Sequence, residues 1–158
     1  MDYSIPRPVY RVVATHVLVP IDGSPQSWAA LDHAFTTFEG ERITTLTVVD
    51  PLDELSGGVA PGGTRARDEH DRGIDSATAL GDRVRERAAD AGVVESTDSD
   101  HEVMIGKPAR AILCHAEETD VDHVVIGSHG RTGLSRILLG SVAESVARRS
   151  PIPVTVVR

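Results

Sequence analysis

Apolar and amphipathic segments alternate along the chain from about position 16 to the end. Five short runs are rich in Val, Ile and Thr, as expected of parallel strands that are buried on both faces. These runs cover residues 16–22, 43–49, 101–105, 121–126 and 153–157. The segments between them carry apolar residues at three- and four-residue spacing, which predicts amphipathic helices. Because parallel strands need crossover connections, which are usually helical, the alternation predicts an α/β fold with one doubly wound parallel sheet.

Capping residues mark where the predicted helices begin and end. Ser24 is placed to cap the first helix, with Pro25 at the first helical position. Gly92 follows a long helix and is placed as its C-cap, where glycine takes the left-handed conformation easily. Ser141 and Glu144 have the Ser-x-x-Glu spacing of a capping box, which predicts how the last helix begins.

The length and composition fit one compact domain. The chain has 158 residues, of which 40% are hydrophobic, and this size is typical of a single core. We expect residues 15–158 to form that domain and residues 1–14, which contain two prolines, to form an N-terminal arm. The Gly- and Pro-rich segment 50–65 predicts a long flexible loop.

Charge and cysteine content exclude several classes of protein. The net charge of −8 argues against a nucleic-acid or anionic-membrane partner, because such binders normally show a basic face. Cys114 is the only cysteine, so an internal disulfide framework is excluded. The apolar runs are far shorter than the roughly 20 residues that cross a bilayer, and no apolar signal segment is visible at the start. We therefore expect a soluble, cytoplasmic protein.

The glycine-rich stretch after the fourth run is the best candidate for ligand chemistry. It directly follows a strand and leads into a helix, and in open α/β sheets ligands bind at the carboxyl ends of strands. Gly127 and Gly130 let the backbone turn sharply and approach a ligand closely. Gly140 and Ser141 precede a helix whose N–H groups and positive dipole end favour a phosphate. The same residues also fit a plain turn and a capped helix, so both interpretations stay open.

This spacing, Gly-x-x-Gly followed by nine residues and Gly-Ser, resembles the nucleotide-binding motif of the universal stress protein family. The resemblance extends over residues 16–157 and includes the VPID-GS segment, the GSHGRTG loop and the LLGSVAESV helix start. It implies a five-stranded sheet in the order 3-2-1-4-5 with helices on both faces, in which the first and fourth strands flank the crevice. Family members that keep the glycines typically bind ATP, so the resemblance implies ATP, or ADP or AMP, together with Mg²⁺.

The same resemblance assigns ligand contacts residue by residue. The residues implied at the adenine and ribose end are Pro20, Ile21, Asp22, Val48 and Ile126. The residues implied around the phosphates are Gly127, His129, Gly130, Gly140, Ser141 and Val142, and from its position in the loop we add Arg131 as a candidate. Two of these side chains have a second interpretation. The Asp22 carboxylate suits a ribose hydroxyl or Mg²⁺, but an Asp before Gly-Ser also caps turns, and Arg131 equally suits a solvated loop.

A phosphate-binding loop does not by itself make an enzyme. Phosphoryl transfer also needs metal ligands, a positioned acceptor and a group that stabilises the transition-state charge. The sequence offers Asp22 as one candidate metal ligand and no identifiable general base. We therefore expect a regulatory module in which ATP biases a conformation or a surface for an unknown protein partner. A weak ATPase or phosphotransferase and a structural dimer that binds no nucleotide are the alternatives.

The resemblance also implies homodimers, which the family commonly builds with the last strand. Residues 153–157 agree with this to a limited extent, because they are apolar and would form an edge strand that needs cover. The arm at residues 1–14 departs from the family pattern, which begins close to the first strand.

Overall fold

The computed structural model describes residues 14–52, 64–93, 100–130 and 139–158. Its strands are β1 (His16–Pro20), β2 (Arg42–Val49), β3 (Asp100–Ile105), β4 (His123–Gly127) and β5 (Val154–Val157). The helices between them are α1 (Pro25–Thr37), α2 (Thr64–Asp90), α3 (Pro108–Glu118) and α4 (Ser141–Arg149). The strands form one parallel sheet in the order β3-β2-β1-β4-β5, which confirms the predicted fold and strand order.

Two predicted segments lie mainly outside this part of the chain. The expected N-terminal arm is described only at Ala14, and the expected loop at 50–65 only at its two ends. Residues 51–52 and 64–65 are helical, so the loop is shorter than predicted at both ends, and the rest of both segments stays a prediction. Among the helices that the structure describes, none combines the length and the apolar character of a membrane span.

β1 lies at the centre of the sheet and pairs with β2 on one side and β4 on the other. Val17 is opposite Ile43 of β2 and His123 of β4. The chain builds outwards from β1 through β2 to β3, then returns to the other side of β1 with β4. The strand order therefore reverses between β1 and β4, and the carboxyl ends of these two strands are where such a sheet opens a crevice for a ligand.

A hydrophobic core covers each face of the sheet, because successive strand residues point to opposite faces. Val17 and Val19 pack on one face with Leu31 of α1 and Val84 of α2. Leu18 packs on the other face, in a cluster to which α3 and α4 contribute. With both faces covered, the ends of the strands are the part of the sheet that remains for ligand binding.

The caps of α1 and α2 are the predicted ones. Ser24 Oγ accepts a hydrogen bond from the N–H of Ser27 at 3.2 Å, and a proline follows Ser24 at the first helical position. Gly92 has a φ of +72°. Beyond it, the N–H of Val93 donates to the carbonyl of Ala88 at 2.9 Å, the bond expected when a glycine ends a helix in the left-handed conformation.

The predicted capping box at α4 is wrong. Gly140 is the N-cap, with φ −63° and ψ 157°, and Ser141 is the first helical residue. The extended conformation of Gly140 is fixed because its N–H donates to the carbonyl of Ser128 at 2.7 Å. Glu144, the second member of the expected box, pairs instead with Arg148 at 2.7 Å. A contact with another part of the chain thus starts the helix one residue earlier than the local spacing predicts.

Several element ends differ from the prediction by a few residues. β1 ends at Pro20 instead of residue 22, although the N–H of Ile21 still donates to the carbonyl of Leu46 at 2.8 Å. β4 begins two residues later than expected, and α2 begins at Thr64 instead of near residue 67. None of these shifts moves a strand within the sheet.

Candidate functional site

The chain turns sharply where β1 ends, and hydrogen bonds close this turn. Asp22 Oδ1 accepts a hydrogen bond from the N–H of Ser24 at 2.9 Å. Gly23, between them, has a φ of +83°, which L side chains rarely adopt. Asp22 therefore has the turn-capping role that was one of its two interpretations, and its role towards ribose or Mg²⁺ stays a prediction.

The loop after β4 is tied to two other elements by backbone hydrogen bonds. The N–H of Ser128 donates to the carbonyl of Val157 at the end of β5, at 2.7 Å. The carbonyl of Ser128 accepts from the N–H of Gly140 at 2.7 Å, just before α4. Ser128, the first residue after β4, is thus held between β5 and the start of α4. One consequence is that the N–H of Gly140 is already used within the protein.

The turn after β1 and the loop after β4 touch at the glycines. A Cβ atom built on Gly127 would lie 2.7 Å from the carbonyl carbon of Gln26. A Cβ atom built on Gly130 would lie 2.8 Å from Asp22 Oδ2. Both distances are shorter than real Cβ contacts, so only glycine fits at these two positions without a shift of its neighbours. We call the described residues 127–130 the glycine loop. The structure therefore brings Asp22 and the glycine loop to the same crevice, as the sequence predicts.

The first turn of α4 offers unused hydrogen-bond donors beside this crevice. The first N–H groups of any α-helix lack a partner within the helix. Within the described ranges, the N–H groups of Ser141 and Val142 donate to no other group. The N-cap Gly140 places them directly after the loop that Ser128 ties down. Unused N–H groups and the positive end of the helix dipole suit an anion.

His129 adds a side-chain nitrogen to the same loop. Its Nδ1 lies 3.0 Å from the hydroxyl of Ser128. Its Nε2 is buried and has no hydrogen-bond partner in the part of the chain that the structure describes. Buried polar atoms are nearly always paired in native proteins, so an unpaired one at a loop calls for an explanation. A ligand phosphate or hydroxyl is one group that would satisfy it.

The other predicted contact residues lie at the carboxyl ends of the central strands, but their side chains are mostly core. Pro20 ends β1 and is half-buried, and Val48 is the penultimate residue of β2. Ile21 and Ile126 are buried in the two cores. A ligand would therefore meet mainly backbone on these strands. Arg131 lies outside the described residues.

The sequence reasoning missed residues that shape the site from behind. The hydroxyl of Thr47 donates to the carbonyl of Ile21 at 2.8 Å and fixes the backbone just before the turn. Ser24 Oγ lies 3.4 Å from the carbonyl oxygen of His129 and links the turn to the loop. Gln26 provides the backbone that excludes a side chain at Gly127. These contacts join parts of the chain that are far apart, and no local spacing signals them.

The acidic side chain of the site suits a metal ion that binds together with a phosphate ligand, and not a metal ion that the protein holds alone. Among the residues that the structure describes, no group of three or more His, Cys, Asp or Glu could hold a metal ion. Asp22 is the acidic side chain in contact with the glycine loop. Mg²⁺ commonly binds proteins through one or two carboxylates plus phosphate oxygens. One carboxylate beside an anion site fits that arrangement and does not fit a resident metal centre.

A doubly wound α/β domain with a glycine loop at the reversal of its strand order is the class that this fold and site define. A family model described as the universal stress protein family matches residues 14–158. The chain therefore belongs to the universal stress protein family. One universal stress protein of Methanocaldococcus jannaschii is 31% identical over 93% of this chain and 96% of its own length. Another from the same organism is 35% identical over 90% of this chain and 81% of its own length.

Solved structures show the same fold. UspA from Lactobacillus plantarum superposes with a TM-score of 0.75 and covers 91% of this chain and 97% of its own, at 24% identity. A universal stress protein described as a complex with cAMP has a TM-score of 0.65 and 26% identity, and the match covers 92% of this chain and 97% of that protein. An Arabidopsis thaliana family member described with AMP bound has a TM-score of 0.62 at 16% identity, covering 90% of each chain, and supports the fold alone.

Proposed function

We propose that this protein binds an adenine nucleotide, ATP with Mg²⁺, at the carboxyl ends of β1 and β4. The observation that carries the proposal is the pair of unused N–H groups, on Ser141 and Val142, directly after the glycine loop. They point to a phosphate, because a helix N-terminus attracts anions. The adenine part of the proposal is supported by the cAMP in the description of one structural relative.

In this proposal the backbone provides most of the contacts. The adenine and ribose lie over the ends of β1, β2 and β4, where the residues are Pro20, Ile21, Asp22, Val48 and Ile126. The phosphates lie against the loop and the start of α4, where the residues are Gly127, His129, Gly130, Arg131, Ser141 and Val142. Gly140 shapes this region and its N–H stays bound to Ser128. Asp22 provides the protein carboxylate for Mg²⁺ or the ribose.

The proposed role is regulation by binding. The described part of the site supplies backbone donors for an anion, the Asp22 carboxylate and the imidazole of His129, all of which suit binding of a nucleotide. Bound nucleotide would fix the loop after β4, the turn after β1 and the start of α4 relative to one another. Such a change is suited to presenting a surface to a protein partner.

We also propose that the protein forms a homodimer through the outer edge of β5. β5 is an outermost strand of the sheet, and each of its residues is only partly buried. An apolar edge strand usually needs a cover, and a second copy of the same strand is the cover that family membership favours.

Calorimetric titration with Mg-ATP, AMP and cAMP tests nucleotide binding, and two substitutions at Ser141 test the geometry. Ser141→Ala removes the hydroxyl and keeps the N–H. Ser141→Pro removes both, and it suits the fold because Gly140 has the extended ψ of 157° that a residue before proline needs. Both α1 and α3 already begin with proline.

We expect saturable binding of about one nucleotide per chain. Ser141→Pro should weaken it at least tenfold beyond Ser141→Ala, because a hydrogen bond to a charged group contributes about 1.5–3 kcal/mol. Equal affinities of the two variants would show that the N–H is not a ligand group. Absence of binding at millimolar concentrations of all three nucleotides would overturn the proposed function. Release of phosphate over many turnovers would favour the ATPase alternative.

A further inference from the structure

We infer that Ser24 is a positioning residue that holds the glycine loop in its ligand-binding conformation. Its hydroxyl lies between the first turn of α1 and the loop after β4. It accepts from the N–H of Ser27 at 3.2 Å and donates to the carbonyl of His129 at 3.4 Å. The inference rests on the proposed nucleotide site, because it concerns how that site is kept ready.

The bond to His129 determines the direction of a neighbouring donor. The carbonyl of His129 and the N–H of Gly130 belong to the same planar, trans peptide unit, so they point in opposite directions. With the carbonyl held towards Ser24, the N–H of Gly130 points away from the turn. In this orientation a donor, not an acceptor, faces outwards from the loop.

Without this bond the peptide unit would be free to rotate. Gly130 has no side chain, so positive and negative φ values are both accessible to it. A rotated peptide would present the carbonyl oxygen of His129 to a phosphate and repel it. Gly130 lets the loop lie against Asp22. For the same reason it allows the peptide unit between residues 129 and 130 to rotate into the wrong orientation. The hydrogen bond from Ser24 to the carbonyl of His129 holds that peptide unit in one orientation.

Ser24 is itself held firmly enough to act as a reference point. Only 3% of its surface is exposed. Its N–H donates to Asp22 Oδ1 at 2.9 Å, and its carbonyl accepts from the hydroxyl of Ser27 at 2.9 Å. Its side chain has therefore little freedom to leave His129.

Three variants separate this role from helix capping. Ser24→Ala removes the cap and the bond to the loop. Ser24→Thr keeps a hydroxyl that can make both contacts. Ser27→Ala is the matched control, because the Ser27 hydroxyl is equally buried at the same helix end and bonds to Ser24 without contacting the loop. If Ser24→Ala does not fold, Ser24→Gly replaces it, since glycine at an N-cap costs only a few tenths of a kcal/mol relative to serine.

The first measurement determines two quantities for each variant: the affinity for Mg-ATP and the stability to urea. Ser24→Ala and Ser27→Ala should both lower stability. Only Ser24→Ala should weaken Mg-ATP binding, by about three- to tenfold, which is the effect of one ordinary hydrogen bond. Ser24→Thr should restore the affinity. Equal affinities of Ser24→Ala and Ser27→Ala would overturn the inference.

The second measurement needs no nucleotide and so separates this inference from the proposed function. The amide signal of Gly130 in an NMR spectrum of the ligand-free protein reports the orientation of its peptide. It should shift or broaden in Ser24→Ala and stay in place in Ser27→Ala. If wild-type protein binds no nucleotide but the signal behaves in this way, the proposed function fails and the positioning role stands. A Gly130 signal that responds equally to Ser24→Ala and Ser27→Ala, or to neither, would refute the positioning role.

Discussion

Gly127 is glycine because of the protein's own backbone. A Cβ atom there would lie 2.7 Å from the carbonyl carbon and 2.8 Å from the carbonyl oxygen of Gln26. The clash is with main chain at the start of α1, which cannot move aside as a flexible side chain can. Gly127 is therefore required for packing whether or not a ligand binds, so its presence is not by itself evidence for nucleotide binding.

This contact predicts the effect of Gly127→Ala on the protein without ligand. The free energy of unfolding should fall by about 1–3 kcal/mol, the usual cost of an added methyl group in a packed site. Urea denaturation of the ligand-free protein measures it. Adding Gln26→Ala should not restore stability, because that change keeps the backbone and the Cβ that cause the clash. Wild-type stability of Gly127→Ala, or rescue by Gln26→Ala, would contradict the explanation.

The sequence predicts single residues well where their signals are local. Ser24 and Gly92 have the roles that their neighbours in the chain imply. Ser141 does not, because the N–H of Gly140 bonds to the distant Ser128 and moves the helix start. The link from Ser24 to His129 was invisible for the same reason: it depends on where two strands meet in space.

At the scale of elements, α2 is held to the sheet by a histidine that fits against a glycine. The ring of His101 in β3 packs against Gly81 of α2. A Cβ atom built on Gly81 would lie 2.6 Å from His101 Cδ2. Its Nε2 lies 3.0 Å from the carbonyl of Ala77, and its Nδ1 lies 2.8 Å from the hydroxyl of Thr45. One neutral imidazole thus joins α2, β3 and β2.

This joint predicts a loss of stability in mild acid. Burial lowers the pKa of His101 below its ordinary 6.5, and nearby Arg85 lowers it further, against the opposing effects of the Ala77 carbonyl, Asp82 and Glu102. The unfolded chain therefore binds the proton more readily than the folded one. Stability should be full above about pH 6.5 and should fall as the pH drops from there towards the folded-state pKa.

Urea denaturation at pH 7.5 and pH 5 measures this effect. His101→Gln keeps an amide donor for Ala77 and cannot titrate, so it should lose less stability than wild type between the two pH values. Some dependence should remain, because burial also lowers the pKa of His123. An equal loss in wild type and His101→Gln would show that protonation of His101 is not involved.

At the scale of the whole molecule, the two edges of the sheet give a matched test of the proposed dimer. The carbonyls of Pro153 and Val157 accept hydrogen bonds from the β4 side. Since strand residues alternate in direction, the N–H and carbonyl of Val156 face the open edge. Proline is tolerated at such an edge position and removes its donor.

Val156→Pro should therefore give a monomer with the same fold, whereas wild type should sediment as a dimer. Val103→Pro places the same ring on the outer edge of β3, where the N–H of Gly106 faces β2 and the alternation turns residue 103 outwards. It should leave the dimer intact. A wild-type monomer, or a dimer that survives Val156→Pro, would exclude this edge as the interface.

The whole fold was predictable because its signal repeats. Five apolar runs separated by amphipathic segments leave few arrangements other than a parallel sheet, and the family resemblance supplied the strand order that the structure confirms. The site was only partly predictable. The strands that lead to Asp22 and Gly127 were expected to flank one crevice, and Asp22 does lie beside the loop that begins after Gly127. The backbone that encloses them could be seen only once β1 and β4 were side by side.

The place of β1 between β2 and β4 also decides when the site can exist during translation. The ribosome delivers β1 and the turn after it early, but β4 emerges only after two further strands and three helices. The start of α4 comes later still. A growing chain can thus bury much of one core while the crevice has only one of its two walls. Nucleotide bound at the proposed site would therefore mark a polypeptide whose synthesis has passed the start of α4.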